Sequence, residues 1–403
     1  MSTQINQTNQ LRTYLFTLTP IIGAVLSTAT QLRLGALPLG IGELILLIWA
    51  CIFTVHIVRT RQKITPVEAL FTTLICFYFT CLLLGWITAL TLNHWHGVDG
   101  EFHILSAAIF TSSIAVLSLI SSTRFSATQY LKRVTLITCI PVTLLILILL
   151  LKIKIPGLEL FYAQVRYFGW STNPNQFALL VAPLPFFLIG LIHQSPSIQH
   201  KVIYALLLLP VLYSGLIIQG EALYIAWLCG MIILLTPRKI TPIALTAIAF
   251  AILFIIMTTV INIDLILEKL YYMFIFGDQG NVRLTLWANG IEANIQSPLF
   301  GLGPGAYSGI SAPFQGSEAH NNFIDLSTNA GIPTALTFIS GLLLILYKAM
   351  KEKIYWAAAA TVVLSIFIFF HIMTRQPIFW CYLIVLIRIT FWPAAGKPAG
   401  ETN

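Results

Sequence analysis

The sequence predicts an all-α polytopic membrane protein of about 12 transmembrane helices, and three observations carry that prediction. Of the 403 residues, 58% are hydrophobic and only 9% are charged, whereas a soluble domain is roughly one-quarter charged. The mean hydropathy is +0.87. The apolar residues fall into runs long enough to cross a bilayer, bounded by charge, proline or polar clusters. No soluble fold of this length hides so much apolar surface. A net charge of +8 would otherwise suggest nucleic acid, but the basic residues are scattered through short loops, so no nucleic-acid partner is expected.

Taken in order, the expected spans are 14–31, 39–58, 67–92, 104–120, 134–155, 176–193, 202–218, 222–236, 240–261, 334–347, 354–372 and 378–392. The segment Met1 to Arg12 is polar and carries no cleavable signal, so the run from Tyr14 to Thr30 reads as a retained signal anchor. With the N-terminus inside, most basic residues fall on the cytoplasmic side, including Arg59, Arg61, Lys63, Lys132, Arg133, Arg238, Lys239, Lys348 and Lys351. The positive-inside rule then places both termini in the cytoplasm. Arg33, Lys152, Lys154, Arg166, Lys269, Arg283 and Arg375 fall at the outer face, with most of the acids. Cysteines 51, 76, 81, 139, 229 and 381 lie inside apolar runs, so no disulfide or metal framework is expected.

Loops are short except for the outer segment 262–333, where function is expected to concentrate. It opens with IDLILEKLYYMFIF, about 14 residues suited to lying in the membrane interface. After Gly277, VRLTLWANGIEAN reads as a helix with Arg283, Trp287 and Ile291 on one side. Pro298 to Tyr307 reads as turns, and a short helix is expected to begin near Ala319.

His320 stands out because it lies at the expected start of that helix, in SEAHNNFIDL. The positive end of a helix dipole favours the neutral imidazole, which can accept a proton; a capping role near Ser317 is the plainer alternative. Arg166, Arg283 and Arg375 sit at outer helix ends or beside turns, and guanidinium groups grip phosphate oxygens bidentately. Interfacial anchoring is the alternative for each. GLGPG at 301–305 lacks the spacing and context of a phosphate loop and reads as tight turns that let backbone come close. HWHGVDGEFH holds His94, His96, Asp99, Glu101 and His103, metal-ligand types in a solvated loop, but no metal site is expected there. Glu221, between two spans, is either a solvated hairpin tip or a partner for an outer arginine.

Arg283, Trp287, SPLFGLGPGAY at 297–307, His320-Asn321 and Gly331 together resemble the large outer loop of the bacterial O-antigen ligase and polymerase superfamily. His320-Asn321, nine residues, then Gly331-Ile332-Pro333-Thr334 is similar to the ligase pattern H-[NSQ]-x9-G-x-x-[GTY]. The resemblance spans about 160–380 of a single membrane domain, taking in NPNQ after Arg166 and Arg375 before the last span. It implies a GT-C-like, metal-independent and cofactor-free inverting glycosyltransferase of the inner membrane. The donor would be a glycan on undecaprenyl diphosphate and the site periplasmic. It further implies His320 as general base and Arg166, Arg283 and Arg375 as diphosphate ligands; Glu221, Trp287, Asn321 and Glu318 are candidates for orienting or supporting places beside them. Where many relatives carry Ser-Arg, this chain has Gly220-Glu221, which reverses one expected charge.

The acceptor implied is lipid A-core for a ligase or another carrier-linked glycan for a polymerase; a protein hydroxyl is the third option. The rival class is a transporter or lipid flippase, which would place ionisable residues in mid-span, whereas here they sit at span ends.

Overall fold

The computed structural model describes residues 18–33, 40–60, 66–92, 126–162, 165–235, 278–306, 317 and 319–391. These residues are mostly helical. In chain order the helices are α1 (18–26), α2 (Ile41–Thr60), α3 (Pro66–Thr91), α4 (Ala127–Leu150), α5 (Pro174–Val181), α6 (Leu184–Gln194) and α7 (Ile198–Ile217). They continue with α8 (Glu221–Leu235), α9 (Asp278–Gln296), α10 (Asn322–Ala330), α11 (Ile332–Lys351), α12 (Tyr355–Phe370) and α13 (Pro377–Phe391). A short antiparallel hairpin, β1 (Phe161–Tyr162) and β2 (Arg166–Tyr167), interrupts the helices and qualifies the all-α expectation.

Five helical stretches are long and apolar enough to cross a membrane: Thr72–Thr91, Ala127–Leu150, Pro174–Gln194, Ile198–Ile217 and Ile332–Lys351. Shorter apolar helices cover Ile41–His56, Glu221–Leu235, Tyr355–Phe370 and Pro377–Phe391. Apolar side chains also face outward: Ile48, Leu144, Leu206 and Leu343 each keep more than half their surface exposed. A bundle greasy inside and out marks a membrane protein. Spans expected at 104–120 and 240–261, and the interfacial stretch before Gly277, lie outside the described residues. Of the first expected span, α1 is helical and the chain then turns into a single 3₁₀ turn at Thr30–Leu32.

Pro174–Gln194 is the central element: 78% of its most apolar 18-residue window is buried, against 28–39% of the corresponding windows in the other four long stretches. It is expected as one span and is instead split into α5 and α6 around Ala182 and Pro183. Pro183 and Pro185 cannot donate backbone N–H groups, so the helical ladder fails there. Side chains from neighbouring helices satisfy the freed carbonyls: Trp227 Nε1 donates to the Ala182 oxygen at 2.8 Å, and the Tyr382 hydroxyl to that of Leu180 at 2.6 Å. A break at this depth is tolerated when protein groups answer the backbone in this way. Glycines bring helices close around the centre. Gly190 lies against the Trp356 ring, Gly215 against Trp227, and Gly230 against Phe186 and Val363.

Candidate functional site

The described parts of the outer segment near residue 300, residues 298–306 and 319–331, meet through backbone contacts. Gly301 and Gly303 adopt φ of 72° and 80°, a left-handed region that side chains with a Cβ disfavour. The turn they make is pressed between α3 and the end of α10. Leu302 N–H donates to the Thr328 carbonyl at 2.6 Å, Gly303 N–H to that of Asn329 at 3.0 Å, and Ile332 N–H to that of Pro298 at 2.9 Å. On the other side, Gly85 of α3 leaves room for the Phe300 carbonyl and Gly303 backbone, and Gly303 lies against Trp86. The tight-turn reading of GLGPG therefore holds: the glycines allow a loop to pack backbone to backbone.

α10 begins at Asn322 rather than Ala319 because Asn321 caps it. The Asn321 side-chain oxygen accepts the Phe323 and Ile324 N–H groups at 3.0 and 3.2 Å. His320, just before the cap, is half-buried with φ of 50°, a strained conformation for a residue with a Cβ. Asn294 Nδ2 donates to the Ser327 hydroxyl at 2.8 Å and ties α9 to α10.

Arg166 lies on β2, in a hairpin held by a polar network from the chain's beginning. Gln31 Nε2 donates to the carbonyls of Glu159, Gly169 and Ser171 at 2.7, 3.1 and 2.8 Å, and Gln31 Oε1 accepts the Glu159 N–H at 2.9 Å. Trp170 Nε1 donates to the Thr28 hydroxyl at 3.0 Å. The Arg166 Nε donates to the Ile218 carbonyl at 3.4 Å, at the turn where α7 gives way to α8. Burial lowers the Arg166 pKa; Glu221 and Tyr224 oppose that shift and Arg283 adds to it. Glu221 thus faces an arginine electrostatically, although no salt bridge joins the two.

Arg283 and Trp287 lie one turn apart on α9, both half-buried, while Ile291, expected on the same side, is exposed. The Trp287 ring meets Phe369 edge-on at 5.5 Å and 80°, and its Nε1 is buried with no hydrogen-bond partner among the described residues. Phe369 also meets Phe323 of α10, at 6.2 Å. These rings bring α9, α10 and the end of α12 together.

His371 does not stand out in the sequence, where it falls inside the apolar run 354–372. α12 ends at Phe370, so His371 instead opens the connection to α13 and caps α12 in extended conformation. It is buried and packs on the Phe367 ring at 4.9 Å. Burial first, then Arg283, His320 and Arg166, push its pKa down to about 3. Three of the expected site residues, from three separate segments, thus act on one buried neutral imidazole. Arg375 follows four residues later, a spacing that could have drawn attention to His371.

The intervening residues Met373 and Thr374 donate N–H groups to Asn322 Oδ1 at 3.3 and 3.2 Å, and the Thr374 hydroxyl donates to it at 2.8 Å. Trp380 Nε1 donates to the Thr374 carbonyl at 2.7 Å. Asn322 and Thr374 were likewise not singled out from sequence. Glu318 and the cluster of His94, His96, Asp99, Glu101 and His103 lie outside the described residues. Among the described residues no group of three or more histidine, cysteine or carboxylate side chains could hold a metal.

Chemically, the arrangement offers imidazole nitrogen for a proton and guanidinium charge for an anion, at one end of a helical bundle. No protein-family model matches the chain and no curated protein matches it, which leaves the chemistry to these side chains.

Proposed function

We propose that the chain is an inverting glycosyltransferase of the O-antigen ligase type. It moves a glycan from undecaprenyl diphosphate to a lipid A-core hydroxyl at the periplasmic face of a bacterial inner membrane. The observation that carries this reading is that the charges of Arg283, His320 and Arg166 all act on the buried imidazole of His371. In the reaction, the acceptor hydroxyl oxygen attacks the anomeric carbon and the bond from that carbon to the diphosphate oxygen breaks. The hydroxyl proton passes to His320, and undecaprenyl diphosphate leaves with its charge compensated by Arg166, Arg283 and Arg375. Direct displacement inverts the anomeric centre. His371, held neutral, adds no positive charge of its own and can exchange hydrogen bonds with the head group or with His320.

A second feature suits a lipid-linked donor. An apolar groove of about 230 Å³ runs between α3, α11 and α13, lined among others by Leu74, Phe77, Phe338, Leu342 and Trp380. Trp380 also holds the Thr374 carbonyl, so the groove adjoins the segment that carries Arg375.

Deleting the gene and examining lipopolysaccharide and carrier-linked glycan separately tests the reading. Loss of a ligase leaves long chains on the carrier and lipid A-core bare. Single repeat units on lipid A-core, with no long carrier-linked chains, would mean a polymerase. Purified protein that transfers no glycan from a carrier-linked donor to either acceptor would reject glycosyl transfer in favour of transport.

A further inference from the structure

We propose that Asn322 is a positioning residue: it registers the segment carrying His371 and Arg375 against the segment carrying His320. The inference rests on the glycosyl-transfer reading for its consequence, though not for its geometry. Asn322 is fully buried and is the first residue of α10, two positions after His320. Its Oδ1 accepts three hydrogen bonds, from Met373 N–H, Thr374 N–H and the Thr374 hydroxyl. Two of those donors are backbone groups, so the orientation of the amide is settled: a flipped amide would set N–H against N–H. Its Nδ2 is buried and has no partner among the described residues, so the contacts this side chain makes there run through its oxygen.

The 371–376 segment makes its own turn, closed by Gln376 N–H donating to the Met373 carbonyl at 2.9 Å, and Trp380 fastens it to α13. Asn322 adds three directional bonds between this turn and α10. The aromatic contacts of Phe323 with Phe369 of α12 and Phe338 of α11, both at 6.2 Å, press α10 against those neighbouring helices, but apolar packing is non-directional and tolerates sliding. Three hydrogen bonds converging on one oxygen do not. A base and a cation that must meet one head group depend on such fixed spacing, and small misplacements far outweigh the energy of the lost contacts.

The test compares Asn322→Leu, which fills the volume without an acceptor, with Asn322→Asp, which keeps the oxygen and discards the orphaned N–H. In purified protein with a carrier-linked glycan donor, Asn322→Leu is expected to lower kcat about 30-fold or more with KM changed less than about threefold. Asn322→Asp is expected to restore most of kcat. Wild-type kcat in Asn322→Leu, or an equal loss in both variants, overturns the proposal. Should Asn322→Leu fail to fold, Thr374→Val removes one of the three bonds and leaves α10 intact. It is expected to lower kcat about threefold to tenfold, and an unchanged kcat overturns the proposal. Hydrogen exchange reads the lock without reference to transfer. Met373 and Thr374 N–H groups should exchange about tenfold faster or more in the leucine variant than in wild type. Unaltered exchange sinks the lock itself, whereas faster exchange in a protein that transfers no glycan supports the lock and rejects only the glycosyl-transfer reading.

Discussion

Trp227 on α8 reaches the Ala182 carbonyl at 2.8 Å and so repairs the break that Pro183 opens between α5 and α6. The most deeply buried span of the bundle is thereby completed by a side chain from another helix. Trp227→Phe keeps most of the ring but leaves that carbonyl unanswered. Thermal unfolding in detergent should show a loss of about 1–3 kcal/mol, larger than for a conservative change on an outward face such as Leu206→Val. An unchanged unfolding temperature would mean that another group answers the carbonyl.

His320→Ala is expected to lower glycan transfer about 100-fold or more, because a positioned base contributes that much to proton removal. Since the half-buried ring adds little to the bundle, unfolding temperature should stay near wild type. His320→Gln should be as inactive, as an amide hydrogen-bonds but does not take the proton. Transfer near wild type in either variant removes the base assignment.

Lysine in place of Arg166, Arg283 or Arg375 keeps charge and loses the planar fork. Each substitution is expected to reduce transfer about tenfold or more in the same assay. Full activity in all three would leave charge or anchoring as the sole role of these residues.

Glu221→Gln removes the charge that partly offsets the burial of Arg166. Because Glu221 is half-exposed and makes no direct ion pair among the described residues, the expected loss of transfer is modest, about threefold. Glu221→Arg should not improve transfer, since it would place another cation beside Arg166. A gain would show that the site accepts a phosphate ligand at that position.

Acid should destabilise the fold through His371. Its pKa falls from 6.5 to about 3 on folding, so between those values the unfolded chain binds a proton that the folded chain refuses. The contribution is complete above pH 6.5 and is lost as pH falls toward 3, by about 1.4 kcal/mol per unit at most. Unfolding followed from pH 7 to pH 5 should show this slope in wild type and a shallower one in His371→Asn. Equal slopes would mean that His371 is not the group responsible.

Composition and apolar runs made the helical membrane character legible, and local chemistry made parts of the site legible. Gly and Pro at 298–305 announced turns, and a helix start was legible near Ala319, three residues before Asn322, where the Asn321 cap begins it. What escaped depends on distant partners. Strands of two residues carry no alternation to read, and the hairpin under Arg166 is ordered by Gln31, more than 100 residues earlier. Pro183 and Pro185 were visible, yet a break in a buried span is tolerated only because Trp227 and Tyr382 answer it, and sequence spacing does not disclose that. His371 was hidden by the apolar run before it, since hydropathy does not say on which residue a helix ends.

Gly85 and Gly303 meet although about 200 residues separate them, so one side of the packing around the glycine turn is made early in synthesis and the other late. A nascent chain inserted as far as α3 must hold that notch open until the segment after α9 arrives. That packing is therefore among the last parts of the molecule to be assembled. Alanine at Gly85, which would push a methyl group into the Phe300 carbonyl, should slow the appearance of protease-resistant protein in a pulse-chase experiment while leaving early insertion unaffected.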